Sequence, residues 1–221
     1  MTRRTFLPFL LLVWPVVAFQ GPGTHPATGR KIAGVMGMSG ADWLVRPERE
    51  AEEQPEKALD ALNLKPGMVV ADIGAGVGYM SLRMARRVSR VYANDLQPDM
   101  LARLRQNAAK AGIANIVTVV GDVADPKLPP NTMDLVLLVD VYHEFSQPQQ
   151  MLRKIRETLK QDGRLVLLEY RAEDPKVPIL AEHKMTVAQV KAELEAEGFM
   201  LQPAIETLPR QHILILTKRT N

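Results

Sequence analysis

The sequence predicts an α/β fold of the doubly wound kind, with a mostly parallel sheet covered by helices on both faces. Apolar, strand-like runs alternate with helical segments from Met68 to Lys218, which is the pattern of parallel sheets. The run over 68–73 is apolar enough for a strand buried on both faces. Glycines at Gly74, Gly76 and Gly78 follow it. They predict a tight loop at the carboxyl edge of that strand, where open α/β sheets bind ligands.

The elements on either side of this loop are predicted in order. Residues 42–62 are charged and helix-prone but interrupted by two prolines, so we expect one or two short helices over the domain. A helix over 79–88 follows the glycine loop, and a second strand covers 90–94. The next helix, 98–111, has a proline in its first turn and a glycine directly after its end, which are the preferred places of both residues.

The second half of the chain continues the alternation. Residues 133–139 are the most hydrophobic strand-like run, so we place that strand at the centre of the sheet. Thr186 and Gln189 have the spacing of a capping box and predict a helix that ends at Gly198. The other predicted elements are a strand over 116–120, a helix over 148–160, and strands over 164–169, 199–207 and 212–218.

Composition narrows the class of protein. A chain of 221 residues with 46% hydrophobic and 24% charged residues suits one α/β domain, which we place over residues 41–221. The net charge of +3 includes Arg3 and Arg4, so the remainder is nearly balanced and predicts no nucleic-acid partner. The absence of cysteine excludes disulfides and thiolate sites. The four histidines form no His-x-x-x-His pair, so no metal site is predicted.

The composition of the first forty residues differs from that of the rest of the chain. Residues 1–20 resemble a signal peptide, with two arginines, an apolar run over 6–19 and small residues for cleavage. Thr2-Arg3-Arg4-Thr5-Phe6-Leu7 also resembles a twin-arginine signal. Residues 21–40 are rich in Gly, Pro, Thr and Ser and predict a flexible linker.

We therefore expect an exported, periplasmic protein that has no membrane span after cleavage. The alternatives are an uncleaved anchor, or a cytoplasmic protein whose start codon is misassigned. The apolar run is shorter than a spanning helix needs, and Pro8 and Pro15 interrupt it, which disfavours the anchor.

The glycine loop carries a family resemblance. Asp72 and the three glycines form D-x-G-x-G-x-G, which resembles motif I of the class I S-adenosylmethionine-dependent methyltransferases. The similarity continues through 91–95, Gly121-Asp122 and 134–140, and covers about residues 57–218. A dinucleotide fingerprint would instead need a glycine at Tyr79. The resemblance implies a Rossmann-like sheet of seven strands with an antiparallel last strand, and an N-terminal covering helix.

The same resemblance implies S-adenosylmethionine as cofactor and assigns residues to it. Asp95 would accept hydrogen bonds from the ribose hydroxyls, or serve only as a carboxylate at the helix start. Asp122 would accept from the adenine amino group, with Val123 packing nearby, or be a turn aspartate. Asp72 would order the loop and face the cofactor's amino group. The implied cofactor-binding residues are Asp72, Gly74, Ala75, Gly76, Gly78, Asp95, Leu96, Asp122, Val123 and Asp140.

The segment after the fourth strand is the candidate catalytic region. Asp140 would face the cationic end of the cofactor. His143 and Glu144 would act as general base or substrate ligands, because a histidine near neutral pKa can accept a proton. Tyr142 is a third candidate, and the alternative for His143 is a packing or capping role. Further candidates near the same edge are Glu169, Tyr170, Arg171, His183, Lys184 and Met185, and on the N-terminal segment Trp43, Arg46 and Arg49.

These observations predict methyl transfer to a small or medium organic acceptor. One alternative is a nicotinamide-dependent oxidoreductase on the same general fold, which Tyr79 disfavours. The other is a non-catalytic exported binding module. The sequence predicts no oligomeric state.

Overall fold

The computed structural model describes residues 23–219. The predicted export signal, residues 1–20, lies outside them, and export stays a prediction. Within the described part of the chain, no helix is long and apolar enough to cross a membrane.

The fold is a seven-stranded sheet with the strand order β3-β2-β1-β4-β5-β7-β6. The first five strands pair in parallel, and β7 runs antiparallel to both of its neighbours. This confirms the predicted fold class, including the antiparallel last strand. The strands are β1 Val69–Ile73, β2 Arg90–Asp95, β3 Ile116–Val120, β4 Met133–Val139, β5 Leu159–Tyr170, β6 Phe199–Leu201 and β7 Gln211–Lys218.

Six α-helices and four short 3₁₀ turns connect these strands in the described residues. The predicted capping box is present at the last helix, where Thr186 Oγ1 accepts from the Gln189 N–H and Gln189 Oε1 accepts from the Thr186 N–H, both at 3.0 Å. The helices are α1 Arg49–Glu53, α2 Pro55–Ala61, α3 Ser81–Ala85, α4 Pro98–Lys110, α5 Pro148–Thr158 and α6 Val187–Glu195. The 3₁₀ turns are Met38–Gly40, Trp43–Val45, Tyr142–Glu144 and Ala181–His183.

Several predicted boundaries differ from the observed ones, among them that of the helix predicted over 79–88, which spans only Ser81–Ala85. Two of the differences have a clear physical reason. The strand predicted over 199–207 ends at Leu201, because Pro203 has no N–H to donate and the chain then meets β7 only in the isolated Ile205–Ile213 bridge. Strand β5 begins before the predicted start at 164. A Cβ at Gly163 would lie 2.7 Å from the Met133 carbonyl oxygen, so glycine permits this close pairing of β5 with β4.

Strand β4 is the centre of the core, as predicted. The side chains of Val136 and Leu138 pack with α5 and α6, and those of Leu135 and Leu137 pack with α2 and α3. All four are fully buried. Alternate side chains therefore hold helices on both faces of the sheet, and the carboxyl ends of β1, β2, β4 and β5 open at one edge.

The N-terminal part of the predicted linker lies against the domain. Arg30 donates from Nε and Nη2 to the two carboxylate oxygens of Glu193 on α6, both at 3.0 Å. Thr28 Oγ1 donates to the same carboxylate at 2.5 Å, and Ile32 is buried. The backbone N–H of Ala33 donates to the His143 carbonyl at 3.0 Å. Composition alone gave no sign of these contacts.

Candidate active site

A cavity of about 410 Å³ lies at the carboxyl edge of β1, β2, β4 and β5. The N-terminal segment covers one side of it and residues 178–180 cover another. The residues that line it include Leu44, Arg46, Arg49, Glu53, Gly74, Gly76, Asp95, Leu96, Gln97, Val123, Asp140, His143, Glu144, Phe145, Tyr170 and His183.

The glycine loop forms the floor of the cavity beside β1. Gly74 and Gly76 have φ values of +72° and +52°, and residues that carry a side chain rarely adopt this backbone conformation. A Cβ at Gly74 would overlap Val141, and one at Gly76 would lie 3.0 Å from Leu44 Cδ1. Both glycines line the cavity, whereas Ala75 and Gly78 do not. Gly78, at φ +95°, instead allows the loop to pack against Leu82 at the start of the helix.

Asp95 closes β2 at the same floor. Its Oδ2 accepts from the Gly76 N–H and its Oδ1 from the Gln97 N–H, both at 2.9 Å. Burial raises the pKa of this carboxyl, while the backbone N–H groups oppose the rise. Each oxygen keeps further acceptor capacity, and Leu96 and Val123 lie nearby on the cavity wall.

Two further predicted cofactor residues, Asp72 and Asp122, also lie outside the cavity lining. Asp72 is buried behind the loop, where its Oδ2 accepts from Ser81 Oγ at 2.5 Å. Burial raises the pKa of Asp72 to about 6. Asp122 is exposed, and its Oδ1 accepts from the Ala124 and Asp125 N–H groups at 2.9 Å. These bonds lower its pKa and give it the turn role that we weighed as the alternative.

Asp140 lies where β4 leaves the sheet, at a φ of +52°. Its Oδ2 accepts from Gln211 Nε2 at 2.8 Å, and its Oδ1 is buried without a partner among residues 23–219. Burial and the charges of Glu53 and Glu169 raise the pKa of Asp140 well above its ordinary value. An unsatisfied carboxylate oxygen beside a cavity fits a donor that a ligand brings.

A pair of charged residues, Arg49 and Glu53, lines the same cavity as Asp140. Arg49 Nε lies 2.7 Å from both carboxylate oxygens of Glu53, and the Tyr170 hydroxyl donates to the same carboxylate at 2.8 Å. Arg46 stacks on Trp43 with its guanidinium 3.7 Å from the ring centre and pairs with Glu52. Arg46 and Arg49 were candidates from the sequence, but Glu53 was not, because a glutamate within a charged run gives no sign of burial.

His143 and Glu144, in the 3₁₀ turn after β4, also line the cavity. His143 Nδ1 lies 2.7 Å from Glu169 Oε2, and His143 Nε2 lies 3.1 Å from His183 Nδ1. Burial opposes the charged ring, but the Glu169 carboxylate outweighs it and raises the pKa of His143. Burial, together with the Glu169 charge, raises the pKa of Glu144 to about 7, although His143 opposes the rise.

Tyr142, the third catalytic candidate, points away from the cavity. Its ring is fully buried against Phe145 and the Arg30 guanidinium, and its hydroxyl lies 3.4 Å from His25 Nε2. The 3₁₀ turn after β4 therefore separates neighbouring residues onto opposite sides, which the sequence could not indicate. The substrate candidates Arg171, Lys184 and Met185 also lie outside the lining.

The family model, the relatives and the solved structure described next are all described as methyltransferases. A family model described as a methyltransferase domain matches residues 71–167. The uncharacterized methyltransferase YcgJ of Bacillus subtilis is 29% identical over 113 residues, which are 51% of this chain and 44% of that protein. The (S)-coclaurine N-methyltransferase of Thalictrum flavum subsp. glaucum is 29% identical over 112 residues, or 50% of this chain and 31% of that protein. The chain thus spans less than half of the length of both relatives.

A solved structure agrees with the fold over most of the domain. A SAM-dependent methyltransferase from Aquifex aeolicus superposes with a TM-score of 0.77 at 24% identity, covering 82% of this chain and 98% of that one. Neither the nicotinamide alternative nor the non-catalytic alternative finds support in these matches.

Proposed function

The folded domain of this chain belongs to the class I S-adenosylmethionine-dependent methyltransferases, and from that premise we propose that it methylates a small or medium organic acceptor. The family match also confirms S-adenosylmethionine as the predicted cofactor. The acceptor and the residues that act on it are the proposed part.

The residues at the cavity floor fit this cofactor. The glycine loop brings backbone close to the cavity because Gly74 and Gly76 carry no side chain. Asp95 would hold the ribose hydroxyls, since a carboxylate forms strong bonds to such donors. Asp140 would face a cationic group of the cofactor with its unpartnered oxygen. Asp95 ends β2 and Asp140 follows β4, the two strands that flank β1, and both carboxylates line one cavity; this observation carries the proposal.

The bound cofactor would supply an electrophilic methyl group on a sulfonium. The chain's own part is to place the acceptor beside that group and to exclude water, which are the main contributions to such reactions. His143 and Glu144 line the part of the cavity formed by the 3₁₀ turn after β4, and Phe145, the next residue, lines it too. We assign this part, the acceptor end of the cavity, to the acceptor.

The general-base role of His143 stays a proposal, and it requires that one nitrogen of the ring be accessible to the acceptor. The Glu169 carboxylate holds Nδ1, which leaves Nε2 as the atom able to accept a proton. That atom is in contact with His183 Nδ1. His143 therefore accepts a proton from an acceptor only when the His183 side chain moves aside.

The charges around the cavity support a small acceptor over nucleic acid. Four carboxylates line it, those of Glu53, Asp95, Asp140 and Glu144, and the two arginines there each pair with a glutamate. A phosphate backbone requires unpaired cations along its path. We therefore propose an acceptor that carries little negative charge.

Two measurements on the full chain test this proposal. The thermal unfolding midpoint should rise with S-adenosylmethionine concentration and should not respond to NAD, because only a ligand of the native state stabilises it. S-adenosylhomocysteine should form when a panel of hydroxyl, amine and carbon acceptors is added. A midpoint that responds to NAD alone would contradict the proposal, as would cofactor binding without product on any acceptor.

A further inference from the structure

We propose that His143, Glu144 and His183 form a binding site for a divalent transition-metal ion at the acceptor end of the cavity. One ligand atom from each side chain lies within 4.8 Å of the other two. All three residues line the cavity, which gives an ion a path from solvent.

The spacing of the two imidazoles suits a shared ion. His143 Nε2 and His183 Nδ1 are 3.1 Å apart. Two nitrogen ligands at the usual zinc–nitrogen distance are separated by about 3.0–3.4 Å when their bond angle lies between octahedral and tetrahedral values. The ion would replace the hydrogen bond between the two rings, and each ring would turn so that its nitrogen lone pair points at the ion.

The donor set indicates the kind of ion. Two neutral imidazoles and one carboxylate are ligands that suit zinc and other first-row divalent ions, whereas calcium and magnesium prefer oxygen alone. Three protein ligands leave coordination positions open, as in catalytic rather than structural sites. These positions would face the cavity, because all three ligands line it.

The surrounding contacts fix His143 in the orientation that binding requires. Glu169 is fully buried and its Oε2 accepts a hydrogen bond from His143 Nδ1–H at 2.7 Å, which leaves Nε2 as the nitrogen with a lone pair for an ion. Carboxylates commonly hold metal-binding histidines in this way. The backbone is held too, since the His143 carbonyl accepts from Arg30 Nη1 at 3.2 Å and from the Ala33 N–H at 3.0 Å.

No sequence pattern indicated this site, because its two histidines are 40 residues apart. His143 lies in the 3₁₀ turn after β4 and His183 in the turn Ala181–His183 before α6. Their approach depends on the fold of the loop between β5 and α6. The expectation of no metal rested on the absence of a helical histidine pair, which is only one way to build a site.

The role of the ion rests on the proposed methyl transfer. An ion at the acceptor end would hold an oxygen or nitrogen atom of the acceptor next to the cofactor's reactive group. His143 Nε2 has one lone pair, so it cannot bind an ion and act as general base at the same time. Activity that disappears with a chelator supports the ligand role, whereas full activity without metal supports the base role.

Binding is tested on the full chain without a polyhistidine tag, freed of metal by a chelator. Calorimetric titration with Zn²⁺ should give one ion per chain, without cofactor or acceptor present. His183→Gln and Glu144→Gln should each weaken binding about tenfold or more, in the range found for disrupted metal sites. Because this readout needs no turnover, it stands even if methyl transfer is not observed.

Matched variants distinguish Zn²⁺ binding at the proposed site from unspecific Zn²⁺ binding by other histidines and carboxylates of the chain. Glu182→Gln removes the carboxylate next to His183, and His212→Gln removes a histidine that lies between Glu173 and Glu206. Both should bind Zn²⁺ within about twofold of the unchanged chain, with folding checked by thermal unfolding. Absence of stoichiometric binding in the folded chain would overturn the proposal, as would binding that survives His183→Gln.

Discussion

The Asp95 carboxylate accepts a hydrogen bond of 2.9 Å from the Gly76 backbone N–H, which joins the end of β2 to the loop that follows β1. The two motifs are therefore one unit in the structure. Asp95 holds the glycine loop through this bond and also lines the cavity. Its replacement therefore affects both the loop and any ligand that Asp95 binds.

Replacement of Asp95 tests the proposed ribose contact. Asp95→Ala should weaken S-adenosylmethionine binding by about 1.5–3 kcal/mol, because it removes hydrogen bonds to a charged group. Calorimetry gives the affinity, with the nearby exposed Asp99→Ala as the matched control on α4. Equal affinities of the folded Asp95→Ala protein and the unchanged chain would refute the assignment.

The stability of the fold should depend on pH through Asp72. Its folded pKa of about 6 lies above its ordinary value of 3.8, because burial and the Asp95 charge outweigh Ser81 and Arg49. The native state therefore binds more protons than the unfolded state between these values, so the contribution of Asp72 to stability falls as pH rises through this window. The loss should total about 3 kcal/mol.

The comparison for Asp72 is Asp72→Asn, which keeps an oxygen that can accept from Ser81. Urea unfolding of both proteins from pH 4 to pH 7 gives the difference in unfolding free energy. This difference should shift in favour of the variant as pH rises. A constant difference would show that Asp72 titrates normally in the folded protein.

The buried Arg30–Glu193 pair should contribute strongly to the attachment of the N-terminal segment. Arg30→Met leaves the buried Glu193 carboxylate without its arginine, with only the hydrogen bond from Thr28 and the contact with His25, which should lower the free energy of unfolding by about 3–5 kcal/mol. The neighbouring Lys31 is 63% exposed and pairs with Glu182, so Lys31→Met should cost about 0–1 kcal/mol.

Addition of Glu193→Gln to the Arg30→Met protein tests the cause of that loss. The second change removes the unpaired charge, so part of the lost stability should return. Equal losses for Arg30→Met and Lys31→Met in urea unfolding would mean that the buried pair is no stronger than a surface pair.

Removal of the His143 ring should affect turnover more than cofactor binding. His143→Ala should lower the rate of S-adenosylhomocysteine formation by about 10²–10⁴-fold, the range for loss of a group that acts on a proton. Cofactor affinity should change little, because the proposed cofactor contacts come from Asp95, Asp140 and the glycine loop and not from His143. Normal turnover per folded molecule would instead support the packing role, with His212→Ala as the matched histidine control.

The features that follow from local sequence pattern were predictable. The apolar run of β4, the glycines at Gly74 and Gly76 and the acidic end of β2 each have a short-range signature, and each lies where it was expected. Asp122 was ambiguous for the same reason, because an aspartate after a strand suits both a ligand contact and a turn.

The features that depend on distant packing were not predictable. Gln211 reaches Asp140 from β7, and Glu193 meets Arg30 from α6, across separations of 71 and 163 residues. Tyr142 and His143 are neighbours in sequence, yet one is buried behind the turn and the other lines the cavity. Side-chain direction in such a turn depends on the surrounding fold.

The most direct test of the central claim is calorimetric titration of the full chain with S-adenosylmethionine, compared with Gly76→Arg. Gly76 lines the cavity at a φ of +52°, so an arginine there would fill the proposed cofactor site. The control, Gly112→Arg, has a similar φ of +67° and open space around its Cβ. We predict one binding site that is lost in Gly76→Arg and kept in Gly112→Arg. No binding to the folded chain, or equal affinity in both variants, would contradict the account.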